Sequence, residues 1–222
     1  MQTDKAIRKY FAAPDDAPVI RDMAEVQKLV QPGDVGCSVG SKAFAGCMRL
    51  VYDAPYTHTF TVCVPDDRIA EALPAGYVQG PLQRYSDSHF AILRWEGVTH
   101  DQQLAMGKDA KDSATKERDD KAKTGYDWGE LGWLVAVGFV IAYSKVMFWR
   151  PKAAYRARAL AALMSKRNLL DSKGRVICSG KAEDISEKQG FTVGVVDGMV
   201  APSHFATCGR LVWVAVHPAP GN

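Results

Sequence analysis

The firmest constraint on this chain is a run of strict alternation. Over residues 57–64, His58, Phe60, Val62 and Val64 fall on one side of an extended chain, and Thr59, Thr61 and Cys63 on the other. That is the period of two that a β-strand imposes. The turn Pro65-Asp66-Asp67-Arg68 returns the chain into residues 69–73, so a strand-turn-strand unit is expected. Two residues on its apolar side do not belong among hydrocarbon. His58 heads the first strand, and a core-facing imidazole needs a hydrogen-bond partner. Glu71 shares a face with Ile69 and Leu73, a poor place for a carboxylate unless something pairs with it. A neighbouring strand could bring Glu71 to the His58 ring and fix its tautomer. A turn symmetric about Asp66-Asp67 sets Glu71 opposite Val62, so a bulge or a shifted turn is needed to bring it closer. The competing reading is an edge-strand carboxylate facing water.

Far downstream, RVICSGKAED places Cys178 where a β-branched run gives way to helix-compatible sequence. A thiol at a helix N-terminus meets unpaired N–H groups and the positive end of the macrodipole, both of which favour a thiolate. The same N–H groups could hold the oxyanion of a tetrahedral intermediate. The competing reading is a small buried core residue, which most free cysteines are. His89, His100, His204 and His217 have less helpful contexts; His89 sits in a polar turn and His217 beside prolines.

Composition narrows the class. The chain has 222 residues, 47% hydrophobic and 24% charged, enough for one sizeable core. A net charge of +3 is too weak to argue for nucleic acid. Five cysteines with no CxxC pair suggest neither a disulfide framework nor a zinc site, so no metal or cofactor is expected and a reducing compartment fits. The charged N-terminus MQTDKAIRKYFAAPDDAP lacks a signal-peptide core. The protein is expected to be cytoplasmic on synthesis. The apolar run LGWLVAVGFVIAYS at 131–144 is short for a membrane span, which needs about 20 residues. A buried or interface-docked helix is expected, with partner-protein or membrane contact through 131–149 as the alternative. Residues 150–175 carry eight Lys and Arg against one acid. They read as a solvated helix face, or else as a patch for an anionic wall polymer, lipid or partner.

Residues 1–31 look like amphipathic helix broken by Pro14 and Pro18. Gln31-Pro32-Gly33-Asp34 is a turn into a strand at 35–39, and Ser41 is a plausible N-cap for a helix at 42–52. A further strand pair is expected at 76–81 and 89–95, and the charged stretch 101–123 is rich in helix formers. The Cys178 helix is expected to run to about Gln189, followed by short strands near 192–196 and 211–216. The fold class is therefore α+β, in one domain.

The succession QPGDVGCSVG, a helix, YDAPYTHTFTVCVPDDRIAEAL, and much later GRVICSG and VAPSHFAT resembles the circularly permuted branch of the NlpC-type papain-like hydrolases. That branch holds the YiiX group and relatives of lecithin retinol acyltransferase. A papain-like enzyme normally has its Cys before its His, and the permuted branch reverses that order, as this chain does. Tyr126-Asp127-Trp128 is similar to the family's "Y-D" element and VAPSHFAT to its terminal turn. Thr57 stands where Ser is usual. The resemblance implies a papain-like antiparallel sheet packed against helices over 31–217, with a helical insertion at about 101–170 and an N-terminal helical extension at 1–30. It implies His58 as base, Glu71 as orienting residue and Cys178 as nucleophile. One departure concerns the helix SGKAEDISEKQG after Cys178, which offers only Ala182 and Ile185 as inward anchors. Such polarity suggests an exposed, partner-covered or inactive site.

The expected function is that of a cysteine peptidase or amidase working through a thioester. Its expected substrate is an amide of a peptidoglycan stem peptide, with delivery on a phage tail to explain the missing export signal. One alternative is a structural or interaction protein of a virion with a weak or inactive site. The other is a lipid-directed thioesterase or acyltransferase. No nucleic-acid partner is expected.

Overall fold

The computed structural model describes residues 2–40, 55–65, 67–73, 76–119, 178–194 and 200–220, with positions 136, 140 and 143 besides. The expected helix at 42–52, the apolar segment 131–149, the basic stretch after it and the Tyr126-Asp127-Trp128 element lie outside these residues, isolated positions apart. Among the described residues no helix is long and apolar enough to cross a membrane.

Six strands form one antiparallel sheet: β1 (Val35–Val39), β2 (His58–Val62), β3 (Arg68–Leu73), β4 (Gly76–Pro81), β5 (His89–Trp95) and β6 (Leu211–His217), in the order β4-β3-β2-β1-β5-β6. The alternating run is β2, and the residues after the turn are β3, as expected. The two strands expected as a pair, β4 and β5, do not pair. β4 joins β3, and β5 lies between β1 and β6. The short 3-10 turn Leu82–Tyr85 carries the chain from one half of the sheet to the other. Residues 192–194 form no strand.

Both faces of the sheet are covered. On one, Phe60, Val62, Ile69, Phe90 and Ile92 pack with Met23 and Val26 of helix α2 (Met23–Leu29), which Asp22 caps by accepting from the Ala24 N–H at 2.9 Å. On the other, Cys37, Ala70, Ala72 and Leu93 pack with helix α1 (Asp4–Phe11) through Ile7 and Phe11. Helices α3 (His100–Asp119), α4 (Cys178–Glu187) and α5 (Pro202–Thr207) contribute to that same core. Thr99 and Gln102 cap α3 reciprocally, a capping box. Met106, Ala110 and Ala114, spaced four apart, give α3 its buried stripe.

The turn at Pro32-Gly33-Asp34 sets the entry into β1. Gly33 has φ +80°, and a Cβ there would come 2.9 Å from the Cβ of Met106; only glycine suits both the left-handed backbone and the close helix. Asp34 accepts from the Gln31 N–H at 2.8 Å and from Arg94 at both oxygens, each at 2.7 Å. Its bidentate pairing makes this aspartate a strut of the sheet.

Candidate active site

His58 is the first residue of β2, and the ladder places Ser38 opposite it on β1. Across the other ladder Glu71 stands opposite Phe60, with Val62 opposite Ile69. Ser38, His58, Phe60 and Glu71 therefore share one face of the sheet. The symmetric-turn expectation, Glu71 opposite Val62, is wrong by two residues. The Cys63 N–H donates to the Arg68 carbonyl at 2.8 Å, which centres the turn one residue earlier, between Pro65 and Asp66. Each residue of shift in the turn moves the register by two, and this one carries Glu71 toward His58.

The result is a direct contact. His58 Nε2 lies 2.8 Å from Glu71 Oε2. Glu71 is 1% exposed, so it does not face water. A buried carboxylate survives as an anion only when donors replace its hydration, and three converge here. Arg84 donates to Oε1, Tyr85 donates its hydroxyl to Oε2 at 2.6 Å, and His58 completes the set. Burial pushes the Glu71 carboxyl up, but the hydrogen bonds from His58, Tyr85 and Arg84 and the His58 charge outweigh it, and the group is held below the usual glutamate range. Arg84 and Tyr85 were not singled out in the sequence. They sit in a 3-10 turn, LQRY, and no periodicity marks them.

Cys178 opens α4 and is 5% exposed. Helix α4 packs on the sheet face opposite Phe60, against the core of Cys37, Ala70 and Ala72. Its N-terminus reaches the end of β2, where Cys178 lies close enough to His58 for its charge to act on the ring. Glu71 occupies Nε2 of the ring. Burial opposes the imidazolium of His58. The negative charge of the Cys178 thiolate, the hydrogen bonds to Cys178 and Glu71 and the Glu71 charge overcome it, and the group is raised to about 10. Sulfur, imidazole and carboxylate thus form one connected line. A proton can pass from thiol to ring while the carboxylate holds the ring in place.

The polarity of α4 does not mean exposure. Ser179, Glu183 and Ser186 are all buried. Ser179 donates to the Val200 carbonyl, and Ser186 receives the Trp95 indole N–H at 3.1 Å. Glu183 accepts from the Thr192 hydroxyl at 2.6 Å and the Val193 N–H at 2.9 Å. The buried polar side chains Ser179 and Ser186 and one oxygen of Glu183 are hydrogen-bonded within the fold, while Asp184 and Glu187 face water.

The other histidines sit elsewhere. His89 begins β5 and its Nδ1 accepts from the Ala219 N–H. The His204 Nδ1 accepts from the Ala201 N–H at the start of α5, where burial pushes its pKa down to about 4. His217 lies between the Ile20 and Ser86 carbonyls. VAPSHFAT forms α5, which helps seat β1: the Cys37 thiol lies 3.5 Å from the Pro202 carbonyl. Cys37 is close enough to Cys178 to feel its charge, and burial and that charge together push the Cys37 thiol far up.

No family model and no curated protein matches the sequence. Among solved structures the chain is similar to the metalloprotein YiiX from Escherichia coli O157:H7. The TM-score is 0.53 at 15% identity, over 86% of this chain and 99% of that one. The chain shares the YiiX fold. Its α+β architecture, a six-stranded antiparallel sheet with helices on both faces among the described residues, is consistent with a YiiX-like papain-like fold.

Proposed function

We propose that this protein is a cysteine hydrolase that cleaves an amide through a thioester on Cys178. The observation that carries the reading is the joined line of Cys178, His58 and buried Glu71. His58 takes the thiol proton, and the thiolate attacks the carbonyl carbon. The oxyanion develops beside the N-terminal end of α4, where the positive end of the helix dipole favours it. Collapse expels the amine, protonated by His58, and leaves the thioester. Water, deprotonated by the same imidazole, then releases the acid and restores the thiol.

The YiiX structure is described as that of a metalloprotein, so a metal needs to be tested against this donor set. Among the described residues no group of three or more His, Cys, Asp or Glu side chains is arranged to hold one, and both oxygens of Glu71 are engaged by Arg84, Tyr85 and His58. These residues do not fit a metal, and the proposed steps use none.

The first substrate to offer is the amide of a peptidoglycan stem peptide. Purified wall fragments are incubated with the full chain and with Cys178→Ala, and the products are read by mass spectrometry. New amine and carboxylate ends that appear only with the intact thiol support the reading. Release from an acyl thioester or lipid ester, with wall fragments untouched, moves the protein to the lipid-directed class. Inertness toward all three, with Cys178 no more reactive than Cys208, sinks the enzyme reading.

A further inference from the structure

We infer that Tyr85 and Arg84 are positioning residues for the Cys178–His58 pair, acting through Glu71 to keep its carboxylate ionised and one of its oxygens aimed at His58. The inference rests on the reading of Cys178 as nucleophile and His58 as base.

The division of labour is visible in the oxygens. Arg84 takes Oε1, while Tyr85 and His58 share Oε2, at 2.6 Å and 2.8 Å. Holding both oxygens stops the carboxylate from rotating about its terminal torsion. A carboxylate 1% exposed and stripped of donors would take up a proton, because burial penalises its charge. A neutral Glu71 could no longer stabilise an imidazolium at Nε2.

The supporting groups are themselves placed. The Tyr85 ring packs on Phe60 at 4.7 Å and Phe90 at 6.0 Å between centroids. Its hydroxyl is held on Glu71 Oε2 at 2.6 Å. Hydrogen bonds therefore run from Tyr85 and Arg84 through Glu71 to His58. The Arg84 guanidinium lies over Gly80, where an added Cβ would meet it at 2.5 Å. Glycine at that point of β4 leaves the berth that the arginine fills.

The test is the pH profile of Cys178 alkylation by iodoacetamide, read by peptide mass spectrometry on the full chain. In Tyr85→Phe and in Arg84→Met the acid limb moves up by about one pH unit, and the rate on that limb falls about tenfold, the equivalent of one unit. Arg84→Lys restores part of the shift. Gly80→Ala, which displaces the guanidinium, reproduces the Arg84→Met profile. A purely structural role predicts lower melting temperatures and an unmoved limb, and that result would overturn the inference. A measurement without variants guards against misfolding: carboxyl carbon-13 spectra of the wild-type chain labelled at glutamate. Glu71 titrating below the other glutamates supports the inference, and Glu71 titrating among them defeats it. A His58→Ala control separates the two levels. If it leaves the wild-type profile unchanged, the nucleophile–base reading falls and takes this one with it. If it alters the profile while Tyr85→Phe and Arg84→Met do not, only the positioning role falls.

Discussion

Glu71 faces Phe60 across the β2–β3 ladder, yet its Oε2 bonds the His58 ring, two residues away along β2 on the same face. The relation is diagonal, at about 7–8 Å between backbones, a span that a glutamate and an imidazole together bridge. The diagonal lets the carboxylate reach the ring edge and still meet Arg84 and Tyr85 behind it.

Thiol reactivity should separate the cysteines. Cys178 has an imidazole beside it, whereas burial raises Cys63 to about 12 and Cys37 further. Competitive labelling near pH 6, followed by peptide mapping, should mark Cys178 well before Cys37 and Cys63. Equal labelling of the three would contradict the electrostatics described here.

Stability should depend on pH through the same residues. His58 is raised from 6.5 to about 10, so its contribution is complete below about 6.5 and is lost as pH climbs through 10. Glu71 is lowered from 4.5, so its contribution is present above that value and lost as pH falls through its lower folded value. Urea unfolding across this range should show wild type exceeding His58→Gln most near pH 5 to 6, with the gap closing toward pH 10. Cys178→Ala removes the largest attraction on the imidazolium, and the closing should begin at lower pH.

Substitution at Glu71 should distinguish charge from occupancy. Glu71→Ala leaves the buried Tyr85 hydroxyl without its acceptor, while the 38% exposed Arg84 turns to water, and should cost about 1–3 kcal/mol in chemical denaturation. Glu71→Gln keeps one acceptor oxygen, for Arg84 or for Tyr85 and His58 but not for both, and turns an NH2 donor toward the other side; it should cost less than Glu71→Ala. Its amide turnover should still fall by about ten- to a hundredfold, part of what general acid–base catalysis supplies.

Asp34 makes a useful contrast. It pairs with Arg94 at both oxygens and also holds the Gln31 N–H, away from the sulfur. Asp34→Ala should destabilise the chain by about 3 kcal/mol and leave the pH profile of Cys178 alkylation unmoved. A shifted profile would place Asp34 in the site after all.

Much of this was legible because it is local. The alternation of β2 and the incongruous Glu71 among Ile69 and Leu73 marked a hairpin with a polar purpose. The register was not legible, since it depends on where the turn is centred, and Pro65-Asp66-Asp67-Arg68 allows more than one centre. Partners distant along the chain hid the rest. Ser186 looks solvent-bound until the indole of Trp95 is placed over it, and Glu183 until Thr192 and Val193 fold back to it. Arg84 and Tyr85 carried no pattern at all, because a four-residue 3-10 turn is too short to show one.

The base and its carboxylate lie on one hairpin, His58 on β2 and Glu71 on β3, while the sulfur arrives on a helix more than a hundred residues later. Any state of the chain in which α4 is undocked holds a thiol parted from its base. Under the proposed function, the reactivity of Cys178 is a property of the finished fold: a nascent or unfolding chain carries an ordinary cysteine, and a reactive one arises only where the tertiary structure is complete.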